Sequence, residues 1–518
     1  MQLKKRGQLD VSITESGSMD WRAEENGLEE TIERLGMQPS FMPRPGEVVL
    51  WTTAFEGELS WNAEHECVEI YSSTKKCWMG RPEWRAGVIG QVPEQEIILQ
   101  DLVDMSRKKW DISYCGFRVE TLPDPNGLDK SYSLHYKYVH LKCIKPFNAY
   151  ENFLQGIPRD ELHPSIEYAM TIMSSFSLLN KYRFKGVWPN ASIFCKGIFI
   201  GAELLLVGDA VRLKPTFPYG PEDAYRAVMD VMIIDEIRLE LADCVEDPTS
   251  DQLAGRYDVR ISGKVYTKNY QRTKMDESHP PPKALKADEV TGVFRSIGMS
   301  GYGDWYPLWS RMRVTVSQNM VIGRCYEPDA MQFLFSSLHL GLDLCGVLNG
   351  REYSRKVDER IPQDKDWFWG DFRTQTLAID TLNGEDVGYY SDTRDVKLWR
   401  ANLRIVDGTA TQADFRQAKI PGDVGRPATK SATTFGAVGK ISKLVSTGLG
   451  DVDISNPVSS AEEEGVKEES SSNDDDDEEE EEEVFVARID QLRGGTEESE
   501  EGDYAPVTDI NKRPKYEY

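Results

Sequence analysis

The sequence predicts a mainly β protein with two small barrel-type domains, connecting helices and a disordered acidic C-terminal tail. Three observations carry this. Short alternating apolar strands, punctuated by Gly and Pro, cluster within residues 41–148 and again within 186–350. The chain has 518 residues, too many for one ordinary core. Its charge is concentrated: residues 451–503 hold 23 acidic and 3 basic side chains, a net of −20 out of −26 for the whole chain.

Residues 1–40 read as a flexible polar segment with a short helical pattern over Asn26–Leu35. The first small barrel, SH3/Tudor-like, is expected over 41–148. Pro43, Pro45 and Gly46 punctuate its start, and Glu47–Trp51 follows as a strand. Further strands are expected over Trp84–Val92, Ser113–Glu120 and Tyr136–Ile144, with a helix over Glu94–Lys109. Residues 149–185 read as a helical connector. Within it Asp160–Lys181 places Ile166, Ala169, Met170, Met173 and Phe176 on one helical stripe.

A second β block spans 186–350. Strands are expected over Ile193–Ile200, Ala202–Leu206, Ala210–Leu213, Met229–Leu239, Tyr257–Thr267 and Met312–Gly323, and a helix over Glu327–Leu348. Residues 351–410, with Trp367, Phe368 and Trp369, read as an extension packed on the body. Residues 411–518 read as a disordered tail, because the ten consecutive carboxylates Asp474–Glu483 repel one another and cannot build a core.

The chemistry points away from catalysis. No phosphate-binding loop, zinc-protease, nucleophile-elbow or EF-hand motif occurs, and no catalytic residue or cofactor is expected. Gly298–Gly303 does not fit dinucleotide spacing and reads as a turn. The eight cysteines are scattered with no C-x-x-C pair, and no secretory h-region or membrane-length apolar run is found. That predicts an intracellular chain with reduced thiols. His65, Cys67 and Cys77 fall short of the four ligands of a structural zinc, so no metal is expected.

The binding features are of another kind. Trp51, Trp84, Tyr114 and Tyr138 are candidate walls of an aromatic cage for a methylated ammonium group; the same rings could equally serve as packing. Val484, Phe485 and Val486 follow the acidic run and read as a docking strand for a partner's sheet edge, resembling a SUMO-interacting motif. Lys512, Arg513, Pro514 and Lys515 fit a short nuclear-import pattern. The acidic run suits electrostatic contact with histones, or simply keeps the chain soluble.

Two segments resemble a known family. Cys195–Leu213, ending in Gly208-Asp209-Ala210-Val211-Arg212-Leu213, and Pro43–Trp51 resemble the fungal cryptic loci regulator family of transcription-silencing proteins. Val231–Leu239 and Val265–Thr267 resemble later strands of a bromo-adjacent homology (BAH) type barrel, so the resemblance makes 186–350 a BAH-like domain. It implies a nuclear, chromatin-bound scaffold at heterochromatin, in a repressor complex with a histone deacetylase and a remodelling ATPase. It leaves direct DNA binding open; no membrane contact is expected, because no membrane-length apolar run is present.

Overall fold

The computed structural model describes residues 2–14, 28–93, 96–105, 116–127, 134–216, 223–246, 253–275, 282–296, 298–308, 313–361, 364–379, 381–382, 385–386, 411–412, 415 and 492–494. The chain divides into two units, residues 1–394 with 488–518, and residues 395–487. All elements below lie in the first. It is mainly β, as the alternating patterns predict.

The N-terminal segment is not wholly flexible. Gln8–Ser12 (β1) pairs antiparallel with a strand far along the chain, Leu9 is buried, and Leu28–Met37 forms a helix. A polar strand of this kind still satisfies its backbone groups at a sheet edge.

The first β module is built on Val48–Trp51 (β2), which is buried throughout. Val48 and Leu50 enter one core with Trp84, Ala86 and Val88, while Val49 and Trp51 enter another with Ile89, Phe117 and Val119. A strand covered on both faces needs a continuous apolar run, and Val-Val-Leu-Trp supplies it. Next comes a separate three-stranded sheet, Glu58–Asn62 (β3), Cys67–Ser72 (β4) and Cys77–Trp78 (β5), in a stretch where no strand is expected from the sequence. The main sheet continues with Arg85–Gln91 (β6), Phe117–Thr121 (β7), Leu134–Val139 (β8) and Ile144–Pro146 (β9), in the order β8-β7-β6-β2-β9. The helix expected over Glu94–Lys109 is, in its described part, one short 3-10 turn at Leu99–Leu102.

The expected helix over 160–181 ends early and gives way to a strand. Only Pro164–Thr171 is helical, and Ser175–Val187 (β10) runs extended for 13 residues. Phe176 and Leu178 face one core and Leu179 another, so the run is apolar on both sides and its periodicity cannot separate helix from strand.

From here one large curled sheet grows. It contains Asn190–Ile200 (β11), Glu203–Leu206 (β12), Ala210–Leu213 (β13), Asp230–Cys244 (β14), Ala254–Thr267 (β15), Tyr306–Leu308 (β16), Val314–Ser317 (β17), Val321–Arg324 (β18) and Trp367–Trp369 (β19). After the short pair Thr381–Leu382 (β20) and Glu385–Asp386 (β21), Leu492–Gly494 (β22) pairs with β19. The sheet's main path is β16-β15-β14-β11-β10-β19-β22. The helix expected over 327–348 is two helices. Pro328–Phe335 stops where Ser336 turns left-handed at φ 51°, and Leu344–Val357 starts afresh.

Candidate functional site

Where the first module meets the large sheet, the strands bring charged side chains into the interior. The Pro43-Arg44-Pro45-Gly46-Glu47 turn delivers two of them. The Arg44 guanidinium donates to both carboxylate oxygens of Asp209, at 2.6 and 2.8 Å, and to the Leu204 carbonyl at 3.0 Å. The Glu47 carboxylate accepts from the Leu204 backbone N–H at 2.9 Å and from Arg324 Nη2 at 2.9 Å. A backbone bond from Val48 N–H to the Ala202 carbonyl, 2.9 Å, fixes the same junction.

Behind this lies Glu203. One of its oxygens accepts from Asn148 Nδ2 at 2.9 Å and from the Arg324 backbone N–H at 3.1 Å. The other accepts the Tyr326 hydroxyl at 3.0 Å. Arg212 forms a two-pronged pair with Asp343 and also donates to the Arg324 and Leu340 carbonyls. Arg373, fully buried, donates to the Gly46 carbonyl at 2.8 Å and lies over the Phe199 ring. Three guanidinium groups, those of Arg44, Arg212 and Arg324, thus pair with four carboxylates out of water, where a matched partner is what makes a buried charge tolerable, while Arg373 is held by carbonyl and hydroxyl oxygens.

The electrostatics follow from this. Burial alone would push the Asp209 carboxyl up, but the Arg44 guanidinium beside it holds it below the usual range. Burial wins at Glu203, whose carboxyl is raised despite Arg324, with Glu47 adding repulsion. Gly323 is required here, because a Cβ at that position would come within 2.2 Å of a Glu203 oxygen and 3.0 Å of Arg212 Nη2. A cavity of about 20 Å³, lined in part by Phe41, Glu47, Glu203, Arg324 and Tyr326, opens on the seam. It is roughly the size of one water molecule.

The residues singled out from sequence are scattered. Trp51 and Trp84 are buried in different cores, at 1% and 3% exposure, so they do not converge on an open face. Tyr138 is exposed on β8. Tyr114, Val484, Phe485, Val486, Lys512, Arg513, Pro514 and Lys515 lie outside the described residues. His65 Nδ1 sits 2.8 Å from Glu69 Oε1, and Cys67 is buried. No group of three or more His, Cys, Asp or Glu among the described residues is placed to hold a metal ion. No described helix is long and apolar enough to cross a membrane.

The seam itself was missed from sequence. Its signal was present: Glu203 and Arg212 are charges inside short apolar strands, where a charge survives only with a partner.

These features define a class of protein: a β-rich chain in which a small antiparallel module is locked to a large curled sheet by buried arginine–carboxylate pairs. Residues 194–327, which include Glu203, Asp209, Arg212 and Arg324, match the family described as "Transcription-silencing protein Clr2". The resemblance seen at Cys195–Leu213 is therefore borne out, since the matched segment contains it. No curated protein matches the chain. A solved structure described as "Structure of Clr2 bound to the Clr1 C-terminus" aligns with 64% of this chain and 66% of that one, at 14% identity and a TM-score of 0.31. That superposition is too loose to define a shared arrangement.

Proposed function

We propose that this protein is a non-catalytic scaffold subunit of a heterochromatic gene-silencing complex in the nucleus, with residues 186–350 as a BAH-like assembly domain. The observation that carries the reading is the silencing-family match over 194–327. The seam supports it, because a scaffold must present its surfaces in fixed relation and buried ion pairs favour one geometry. Its partners are protein subunits that include a histone deacetylase and a remodelling ATPase. Val484–Val486 is the docking strand for one partner, and Lys512–Lys515 directs nuclear import.

Native affinity purification from nuclear extract, with mass spectrometry of the co-eluting proteins, tests this. Near-stoichiometric recovery of a deacetylase and a remodelling ATPase is expected. A chain that runs alone overturns the scaffold.

The run Asp474–Glu483 favours a second reading, a histone-binding chaperone acting through its tail. Deleting residues 451–503 then abolishes core-histone binding, and salt weakens that binding steeply, since exposed charges are screened beyond ~10 Å at 0.1 M. Unchanged binding after the deletion removes this reading.

A further inference from the structure

The three-stranded sheet β3–β5 has one covered end and one open end. At the covered end Asn62, Cys67 and Glu69 are buried, and the turn at Gly156 packs directly on Cys67. At the open end the pairing register places Glu58 opposite Tyr71, and Tyr71 opposite Trp78. Residues directly opposite in antiparallel strands project from the same face. A carboxylate and two aromatic rings therefore stand in one row across the sheet.

The rings are set edge to face, with centroids 5.1 Å apart and planes at 65°. Trp78 is 39% exposed, the adjoining Met79 is 49% exposed, and Glu58 is exposed with no ion-pair partner among the described residues. Glu69, two residues along β4 from Tyr71, adds a second carboxylate behind the row; it is buried, bonded to Asn62 and His65, and held below the usual range. Isolated exposed apolar side chains are ordinary, but two rings at an angle beside an unpaired carboxylate form a recognisable chemical unit.

We propose that Glu58, Tyr71 and Trp78 bind an alkylated ammonium group, specifically a methylated lysine side chain on a basic peptide. A cation resting on Tyr71 meets the negative face of one ring and the wall of the other, while the carboxylate side of the row is open to it. Glu58 and Trp78 flank Tyr71, each one strand spacing of ~5 Å away, so a cation over the Tyr71 ring has the carboxylate on one side and the indole on the other. This site replaces the Trp51 and Trp84 cage, whose rings are core rings, and does not depend on the scaffold reading.

The test uses the full chain and isothermal titration with three forms of one lysine-rich peptide. One carries trimethyl-lysine, one unmodified lysine, and one the neutral tert-butyl isostere of trimethyl-lysine. Cation–π attraction of about 1 kcal/mol makes the trimethyl form bind about five-fold more tightly than the neutral isostere. Trp78→Ala and Tyr71→Ala abolish that preference, and Glu58→Gln weakens binding of the charged peptide alone. Trp78→Leu keeps apolar bulk, so it separates loss of the ring from loss of the fold. Equal affinity for the trimethyl and neutral peptides, unchanged selectivity in Trp78→Leu, or no binding at millimolar peptide each overturns the proposal.

Discussion

Lys145 carries an amine into the interior on β9, where it is 4% exposed and lies 5.9 Å from the centre of the Phe153 ring. No carboxylate among the described residues pairs with it. Burial therefore pulls its pKa down from 10.5 to about 8. Between those values the unfolded chain holds more protons than the folded one, so stability rises with pH across that window, and the penalty is complete below about 8. Lys145→Met is expected to raise stability by up to about 3 kcal/mol at pH 7, with the gain shrinking toward pH 10.5. Urea unfolding at pH 7 and 9.5 measures both; a loss of stability at pH 7 would show that the amine has a partner. Gly323 is the opposite case, a residue whose missing side chain matters. Gly323→Ala drives a methyl into Glu203 and disturbs its donors, and a cost of about 3 kcal/mol is expected from breaking a buried charge network.

Among the elements, legibility tracked burial on one face or two. Val48–Trp51 and Arg85–Gln91 were readable because Pro and Gly frame them and β-branched residues fill them. Ser175–Val187 was misread because an apolar run buried on both sides has no diagnostic period. The break at Ser336 was invisible because a serine in the left-handed region carries no sequence mark. The β3–β5 sheet was missed because its strands mix charges and aromatics, and its folding rests on a turn. Gly57 sits at φ 111°, and a Cβ there would come within 2.5 Å of the Tyr71 carbonyl. Gly57→Ala is therefore expected to loosen this sheet alone. Hydrogen exchange should speed up by at least ten-fold over residues 58–78 and stay unchanged over β14 and β15. Of the candidate cage residues, Trp51 and Trp84 are core rings and Tyr138 is exposed, a difference that sequence alone does not mark. The rings that face outward are identified by register, which needs the pairing partner as well as the strand.

At the scale of the molecule, the seam makes two β modules one cooperative body. Arg44 and Glu47 come from the first module, while Asp209, Glu203 and Arg324 come from the large sheet, and backbone bonds run between the two. Neither side can open without exposing charges whose partners remain buried in the other, so the first module and the large sheet are expected to melt in a single calorimetric transition. Arg44→Ala strands Asp209 in a dry site and removes the pair. It should cost about 3–5 kcal/mol and split the melt into two transitions, one for each module. The pair also has an acid limit. Because Asp209 titrates below its ordinary 3.8, its contribution is present above that pH and lost as pH falls through the depressed value. The wild-type chain should therefore lose stability more steeply below pH 4 than Arg44→Ala does. A variant that still melts in one step, with the acid slope of the wild type, would mean that apolar packing between the modules, rather than the ion pairs, couples them. The seam would then orient the modules without holding them together.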